Sequence, residues 1–211
     1  MRGIKQGNPE PTIHMKNPDA GTSANANANT NTNTKKSLIG IAAAGAALLL
    51  TAAASALPNE GDKAPNAKVE DADGRVLEMK NLKGKPILIV YEDKDSAKTN
   101  QTFKDELAKM AKGDKYRKVI ALAAVADLSS YNWWPVKGFV KDAIRDESKK
   151  VGATIYCDWD GAFRSAYKLR TGTSSIVLVG KNGQVLFAAE GALKPEARKK
   201  VLDLLKAEVE S

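Results

Sequence analysis

Histidine and cysteine are almost missing from the 211-residue sequence, which holds one of each, His14 and Cys157. A Ser-His-Asp triad and a Cys-His couple both need an imidazole beside the nucleophile. His14 lies in an amino-terminal stretch expected to be removed, so the mature chain is expected to run neither mechanism. It is also expected to build no histidine-containing zinc site. One cysteine cannot close an intramolecular disulfide. In an oxidising compartment the fold then has no covalent staple, and stability must come from its core. No cofactor motif stands out, so no cofactor and no metal is expected. No basic stripe is interleaved with aromatics, which argues against nucleic acid as a partner.

What is present begins with a polar, low-complexity run, Asn25 to Thr34, that has too little apolar surface to offset the entropy of ordering it. Residues 1–34 read as a disordered leader or a misassigned start. Lys35-Lys36, an Ala/Leu-rich run from Leu38 to Ala54 and the small-x-small triplet Ala54-Ser55-Ala56 then make a secretory signal over 35–56, with cleavage expected after Ala56. An uncleaved run would be a marginal membrane span, and this is the expected route, if any, to a membrane. No cysteine lies near the cleavage point, so no lipid anchor is expected. Removing the segment takes away five basic residues (Arg2, Lys5, Lys16, Lys35, Lys36) and two acidic ones (Glu10, Asp19), so the net charge falls from +8 to +5. Residues 57–211 form one domain, expected to be periplasmic or secreted. Its lysines sit in helical patterns with acids beside them, the pattern of solvated faces.

Along this domain, Ala67 to Glu70 and Arg75 to Met79 read as a hairpin around Asp71-Ala72-Asp73-Gly74. Ile87 to Tyr91 is a continuous apolar run suited to a strand buried on both faces. A helix is expected from Ser96 as N-cap to Gly113. A second doubly buried strand is expected over Lys118 to Val125, and a helix follows with the apolar stripe Val136, Phe139, Val140, Ile144 and Val151, ending at Gly152. Thr154 to Cys157 is a short strand, and Phe163, Ala166 and Tyr167 mark a short helix. Ser175 to Val179 and Gln184 to Ala189 flank the turn Lys181-Asn182-Gly183. A closing helix runs from Leu193 to Val209, with Pro195 in its first turn. This order implies an α/β sandwich of three layers: a central mixed sheet flanked by helices, with an N-terminal β-hairpin extension. Right-handed crossovers put the strands around Val90 and Val119 side by side at its centre.

Gly61-Asp62-Lys63-Ala64-Pro65, Asp73-Gly74 and Leu82-Lys83-Gly84-Lys85-Pro86 resemble the lead into the first central strand of the thioredoxin-like superfamily. Asp158-Trp159-Asp160-Gly161 to Tyr167, and Thr171 to Ser175 with Lys181-Asn182-Gly183, resemble the segments around that fold's last hairpin. Redox members carry two cysteines where this chain has Asp95 and Lys98, and a cis-proline where it has Ser174. Ser96-Ala97-Lys98 and Ala189-Glu190-Gly191-Ala192-Leu193-Lys194-Pro195-Glu196 are similar to the YtfJ-type periplasmic proteins, a branch with this fold, a signal peptide and no cysteine pair. The resemblance implies a fold and an export route; it implies no activity.

Four features could carry function. The fold places a recognition face at the strand ends, which here implies Asp93, Lys94, Asp95, Ser96, Lys98 and Ser174; a solvated helix cap is the plainer reading. Cys157 could be a reactive thiol, but it ends a strand before Asp158 and Asp160, whose charge would raise its pKa, and a buried structural cysteine is expected. Asp158-x-Asp160-Gly161 lacks the ligand spacing of a calcium loop and reads as a turn. Trp133-Trp134 beside Tyr131 could form a recognition patch, though a pair split between core and rim is expected. Three functions follow: a non-catalytic binding or accessory protein for a periplasmic protein or small ligand, a one-cysteine thiol peroxidase or oxidoreductase using Cys157, and a membrane-tethered domain. The inventory of side chains favours the first.

Overall fold

The computed structural model describes residues 57–112 and 114–211. The expected leader (1–34), the signal segment (35–56) and Gly113 lie outside the described residues. The first hairpin pairs β1 (Lys68–Asp71) with β2 (Val76–Glu78) antiparallel. Asp71 closes its turn by accepting from the backbone N–H groups of Asp73 and Arg75, each at 2.9 Å. Gly74 supplies the left-handed φ of 84° that the turn needs.

The remaining strands are β3 (Ile87–Glu92), β4 (Ala121–Asp127), β5 (Ile155–Asp158), β6 (Ser175–Val179) and β7 (Val185–Glu190). They join the hairpin in one sheet of order β2-β1-β5-β4-β3-β6-β7. β3, β4 and β5 run parallel; β6 and β7 return antiparallel, and β1 docks antiparallel on β5. β3 and β4 are parallel neighbours at the middle of the sheet, as the sequence implies. The helices are α1 (Gln101–Met110), α2 (Asp114–Val119), α3 (Val136–Val151), α4 (Ala162–Ala166) and α5 (Pro195–Glu210).

Strand side chains alternate between faces, and two cores result. Ile87, Ile89 and Tyr91 of β3 pack with Val125, Val177 and Val179 against Phe163, Tyr167 and Met79. Leu88 and Val90 pack with Ile176, Leu178 and Phe187 against Phe103 of α1 and Val201 and Leu205 of α5. Each fully buried aliphatic or phenyl side chain contributes about 1.5–3 kcal/mol, so β3, buried on both sides from Ile87 to Tyr91, anchors both layers. Leu128, Cys157 and Trp159 form a smaller cluster under Val140 and Ile144 of α3.

Several expectations shift. The helix after β3 starts at Gln101 rather than at Ser96, because Ser96 closes a turn with Asp93 instead of capping. The strand expected from Lys118 begins only at Ala121. Ile120 N–H still bonds Tyr116 O at 3.0 Å in helical fashion, and Ala121 N–H makes the first ladder bond, to Pro86 O at 2.9 Å. β4 is not buried on both faces, for Leu122 is 41% exposed. On α3 the inward stripe is Val140 and Ile144, whereas Phe139 and Val151 face out. The tryptophan pair does not split between core and rim: Trp133 is 57% and Trp134 90% exposed. The carbonyl of Trp133 accepts from Lys137 N–H at 2.9 Å, so the chain at the pair is tied into the outer end of α3 rather than packed inward.

Candidate functional site

Because β3, β4 and β5 are parallel, their carboxyl ends open on the same edge, where strand-end crevices of α/β sheets bind ligands. Consecutive residues of β3 point to opposite faces there, so Tyr91 and Glu92 each begin a separate polar network.

Tyr91 Oη donates to Asp158 Oδ2 at 3.0 Å. Asp158 also accepts from the amides of Phe163 (3.3 Å) and Arg164 (3.0 Å), two free donors at the start of α4. Asp127 stands opposite Asp158 in the β4–β5 register. Its Oδ1 accepts from Ser129 N–H at 3.1 Å and Ser129 Oγ at 2.7 Å. Its Oδ2 accepts from Arg164 Nη1 at 2.9 Å and Thr171 Oγ1 at 3.1 Å. Gly161 makes room for this guanidinium: a Cβ there would lie 2.7 Å from Arg164 Nη2, and its φ of 72° is left-handed. The two carboxyl groups are buried and pushed apart in acidity. Burial works against Asp127 ionisation, but the Ser129 hydroxyl and amide and the Arg164 charge outweigh it and hold its pKa below the usual carboxylate value. Burial dominates at Asp158 and raises its pKa, with the Asp127 charge adding to the rise. Burial, then the two carboxylates, push the Tyr91 phenol up.

On the other face, Glu92 Oε1 accepts from Ser174 Oγ at 2.8 Å, and Glu92 Oε2 meets Lys104 Nζ at 2.8 Å. Asn100 Nδ2 donates to Ser174 Oγ and to Gly191 O, both at 2.9 Å, while its Oδ1 accepts from Leu193 N–H at 2.8 Å. Asn100 and Ser174 are both buried.

A cleft of ≈ 100 Å³ opens above Asp127, with Asp93, Lys94 and Asp95 on one bank and Ser129, Tyr131 and Thr171 on the other. Of the face implied by the sequence, Asp93, Lys94 and Asp95 therefore meet at one cleft. Ser96 is buried and holds Asp93: its amide and hydroxyl donate to Asp93 Oδ1 at 2.8 and 2.6 Å. Burial would raise the Asp93 pKa, but these bonds and the amides of Asp95 and Gly172 lower it. Lys98 is exposed and outside the cleft, and Ser174 lies inside the Asn100 network. A larger hollow of ≈ 380 Å³ lies between the hairpin turn and the end of α3. Its Arg75 and Arg145 are taken by Asp71 and Asp73, each at 2.6 Å, so it serves to tie the hairpin down.

Cys157 is 2% exposed and packs with Leu128 and Trp159, on the face opposite Asp158. Burial and the charges of Glu70 and Asp71 push its thiol up to about 12, with Lys141 and Lys137 in partial opposition. The acids responsible stand on β1, not at Asp158 and Asp160 as the sequence suggests. Asp160 accepts from Ala162 N–H at 3.0 Å as a turn residue. Among the described residues no group of three or more His, Cys, Asp or Glu is placed to hold a metal, and no helix is long and apolar enough to cross a membrane.

The sequence reading missed Asn100, Asp127, Arg164 and Thr171. Asp127 left one signal: it is an acid that directly follows an apolar strand, Ala121 to Ala126.

A sequence profile for bacterial proteins of unknown function, YtfJ_HI0045, matches residues 79–208, more than half of the chain. No curated protein matches. Among the solved structures that share the fold are the following three. A candidate thiol:disulfide interchange protein, DsbE, from Chlorobium tepidum is 19% identical with a TM-score of 0.54, over 72% of this chain and 99% of its own. A cysteine-to-serine mutant of PrxQ from Xylella fastidiosa is 15% identical with a TM-score of 0.52, over 72% and 98%. The exposed lipoprotein thioredoxin of Streptococcus pneumoniae is 18% identical with a TM-score of 0.50, over 67% and 98%. At these identities the likeness shows a thioredoxin-like fold and nothing of activity.

Proposed function

The chain belongs to the bacterial YtfJ_HI0045 family, and from that premise we propose that it is an exported thioredoxin-fold protein that binds a partner or small ligand without thiol turnover. The observation that carries the reading is the fate of the redox positions. By the resemblance, Asp95 and Lys98 take the positions of the cysteine pair of redox relatives; in the structure Ser174 is hydrogen-bonded to Glu92 and Asn100, and the one thiol is buried with its pKa raised to about 12. A thiol nucleophile needs the opposite environment, exposed and with a lowered pKa. Binding falls to the Asp93–Asp95 cleft, which three strand-end loops line, with Ser96 and Ser174 as residues that hold those loops and Lys98 at the outer rim.

The test follows peroxide consumption and insulin disulfide reduction by the full chain and its Cys157→Ser variant, with dithiothreitol as reductant. The expected result is that both match the blank without protein. Turnover by the wild type that the variant lacks would replace this reading with a one-cysteine thiol enzyme. Export is tested by the mass of the protein recovered from cells. A form beginning at Leu57 supports cleavage after Ala56; an intact leader retained in membranes after a high-salt wash supports the tethered domain.

A further inference from the structure

The connection from α4 to β6 crosses the sheet edge that holds the cleft, and its two ends are fixed. α4 finishes with Lys168 N–H on Ser165 O at 3.2 Å and Leu169 N–H on Arg164 O at 2.9 Å, a helix stop that puts Lys168 at a left-handed φ of 55°. Leu169 is buried in the core with Phe163 and Tyr167. At the other end Ser174 is buried in the Asn100 clasp, and its carbonyl accepts from Gly191 N–H at 2.8 Å.

Between these ends Arg170, Thr171 and Gly172 are exposed. Among the described residues no main-chain to main-chain bond fastens Arg170 to Thr173. Three carboxylates hold the segment instead, one from each of three strand ends. Glu190 at the end of β7 accepts from Arg170 N–H at 2.9 Å and pairs with Arg170 Nε. Asp127 at the end of β4 accepts from Thr171 Oγ1 at 3.1 Å, and Arg164 Nη1 is bonded to both. Asp93, just after β3, accepts from the Gly172 amide, which a left-handed φ of 73° turns toward it.

Fastening of this kind can part in one move. Lifting Arg170 to Thr173 takes no apolar side chain out of a core, because Leu169 stays below. Breaking an ion pair is costly when a charge is left buried without its partner. Here the segment is part of the cover over Glu190 and Asp127, whose side chains are each 5% exposed, so water reaches both as it lifts. Segments that gate sites come from such weakly held parts of a fold. The cleft also needs a gate. At ≈ 100 Å³ it falls well short of the roughly 300 Å³ at which ligand pockets begin, and Thr171 forms part of one bank.

We propose that Arg170–Thr173 is a hinged lid on the Asp93–Asp95 cleft, pivoting at Leu169 and Ser174 and leaving its three carboxylates together. The inference rests on the cleft being the binding site. Opening widens the cleft and bares Asp127 and Arg164 to the ligand; closing returns Thr171 and Gly172 to Asp127 and Asp93.

Hydrogen exchange of the full chain, followed amide by amide by NMR, tests the lid. The Arg170 and Gly172 amides are expected to share one opening equilibrium that urea below the unfolding transition leaves unchanged. Val177 and Leu178 on β6 are expected to exchange only with global unfolding. Thr171→Val removes the bond to Asp127 and leaves Glu190 and Asp93 in place. It is expected to lower the protection factors of both Arg170 and Gly172 about tenfold, with Val177 and the urea midpoint unchanged. Arg170→Ala is expected to lower protection at Gly172 in the same way. Effects confined to the bond removed, with Arg170 and Gly172 opening independently, overturn the proposal. So does exchange of both amides only through global unfolding. Either result removes the lid and leaves the absence of thiol turnover as it stands, so the two tests fail separately.

Discussion

Tyr91 and Glu92 are consecutive residues, but the networks they begin on the two faces of the sheet are built differently. The Glu92 side has an ion pair of its own, Glu92 with Lys104, but the group that ties its loops together is a neutral amide. Asn100 uses both ends of its side chain to join Ser174, Gly191 and Leu193, and its surroundings are closed. The Tyr91 side centres on two carboxyl groups and a guanidinium, and Asp127 borders the cleft. A closed amide clasp sets the position of loops; a charged network beside an opening can also respond to what enters it. Only the second has the makings of a site, and the first explains why its loops stay in place.

Four substitutions would break or sharpen that contrast. The largest effect is expected from Asn100→Leu, which leaves the Leu193 amide, the Gly191 carbonyl and the Ser174 hydroxyl short of a partner. The loss should be about 3 kcal/mol, since each orphaned buried group costs about 1–3 kcal/mol, and it is read as a lower urea midpoint. Asp127→Asn should cost about 2 kcal/mol by leaving Arg164 without its carboxylate, and it also changes the pH profile. The folded pKa of Asp127 is lowered, so its contribution is present above the unfolded value, near 4, and is lost as the pH falls through the folded value. Asp158 is raised, so its contribution runs the other way, present below the unfolded value and lost as the pH rises through the folded one. Asp127→Asn should therefore flatten the acid limb of a stability–pH curve, whereas Asn100→Leu should lower the curve and keep its shape. If both variants give the same shape, the contrast between the networks fails. Tyr91→Phe should cost about 1 kcal/mol, because Asp158 keeps both amides at the start of α4. Lys98→Ala, on the exposed rim, should fall within about 0.5 kcal/mol of the wild type.

Much of the architecture was legible in the sequence because apolar runs and turn residues encode it directly. Ile87 to Tyr91 reads as a central strand and is one, and Asn182-Gly183 turns between β6 and β7. The errors came where one signal serves two structures. Val119 and Ile120 look like the start of a strand, but the ladder begins only opposite Ile87, at Ala121. Ser96 looks like a helix cap, but Asp93 three residues earlier offers it a tighter turn. Of the site, the Asp93–Asp95 bank could be named from the resemblance. Asp127, Arg164 and Thr171 could not: they are 37 and 44 residues apart in their bonded pairs, and nothing local shows that they meet. Trp133-Trp134 reads as half inside because large rings are usually buried, but the inward positions of α3 are filled by Val140 and Ile144 instead.

The hairpin that opens the domain reaches the rest of the sheet through β5 alone, by the register pairs Glu70 with Cys157 and Asp71 with Tyr156. These partners are more than eighty residues apart in sequence. The part of the domain made first therefore cannot take its place until β4, α3 and β5 have followed. Contacts of such long range slow folding, and the domain should close late, from its middle outward. A chain that stays open until most of it has been synthesised is also one that can still be threaded through a narrow channel.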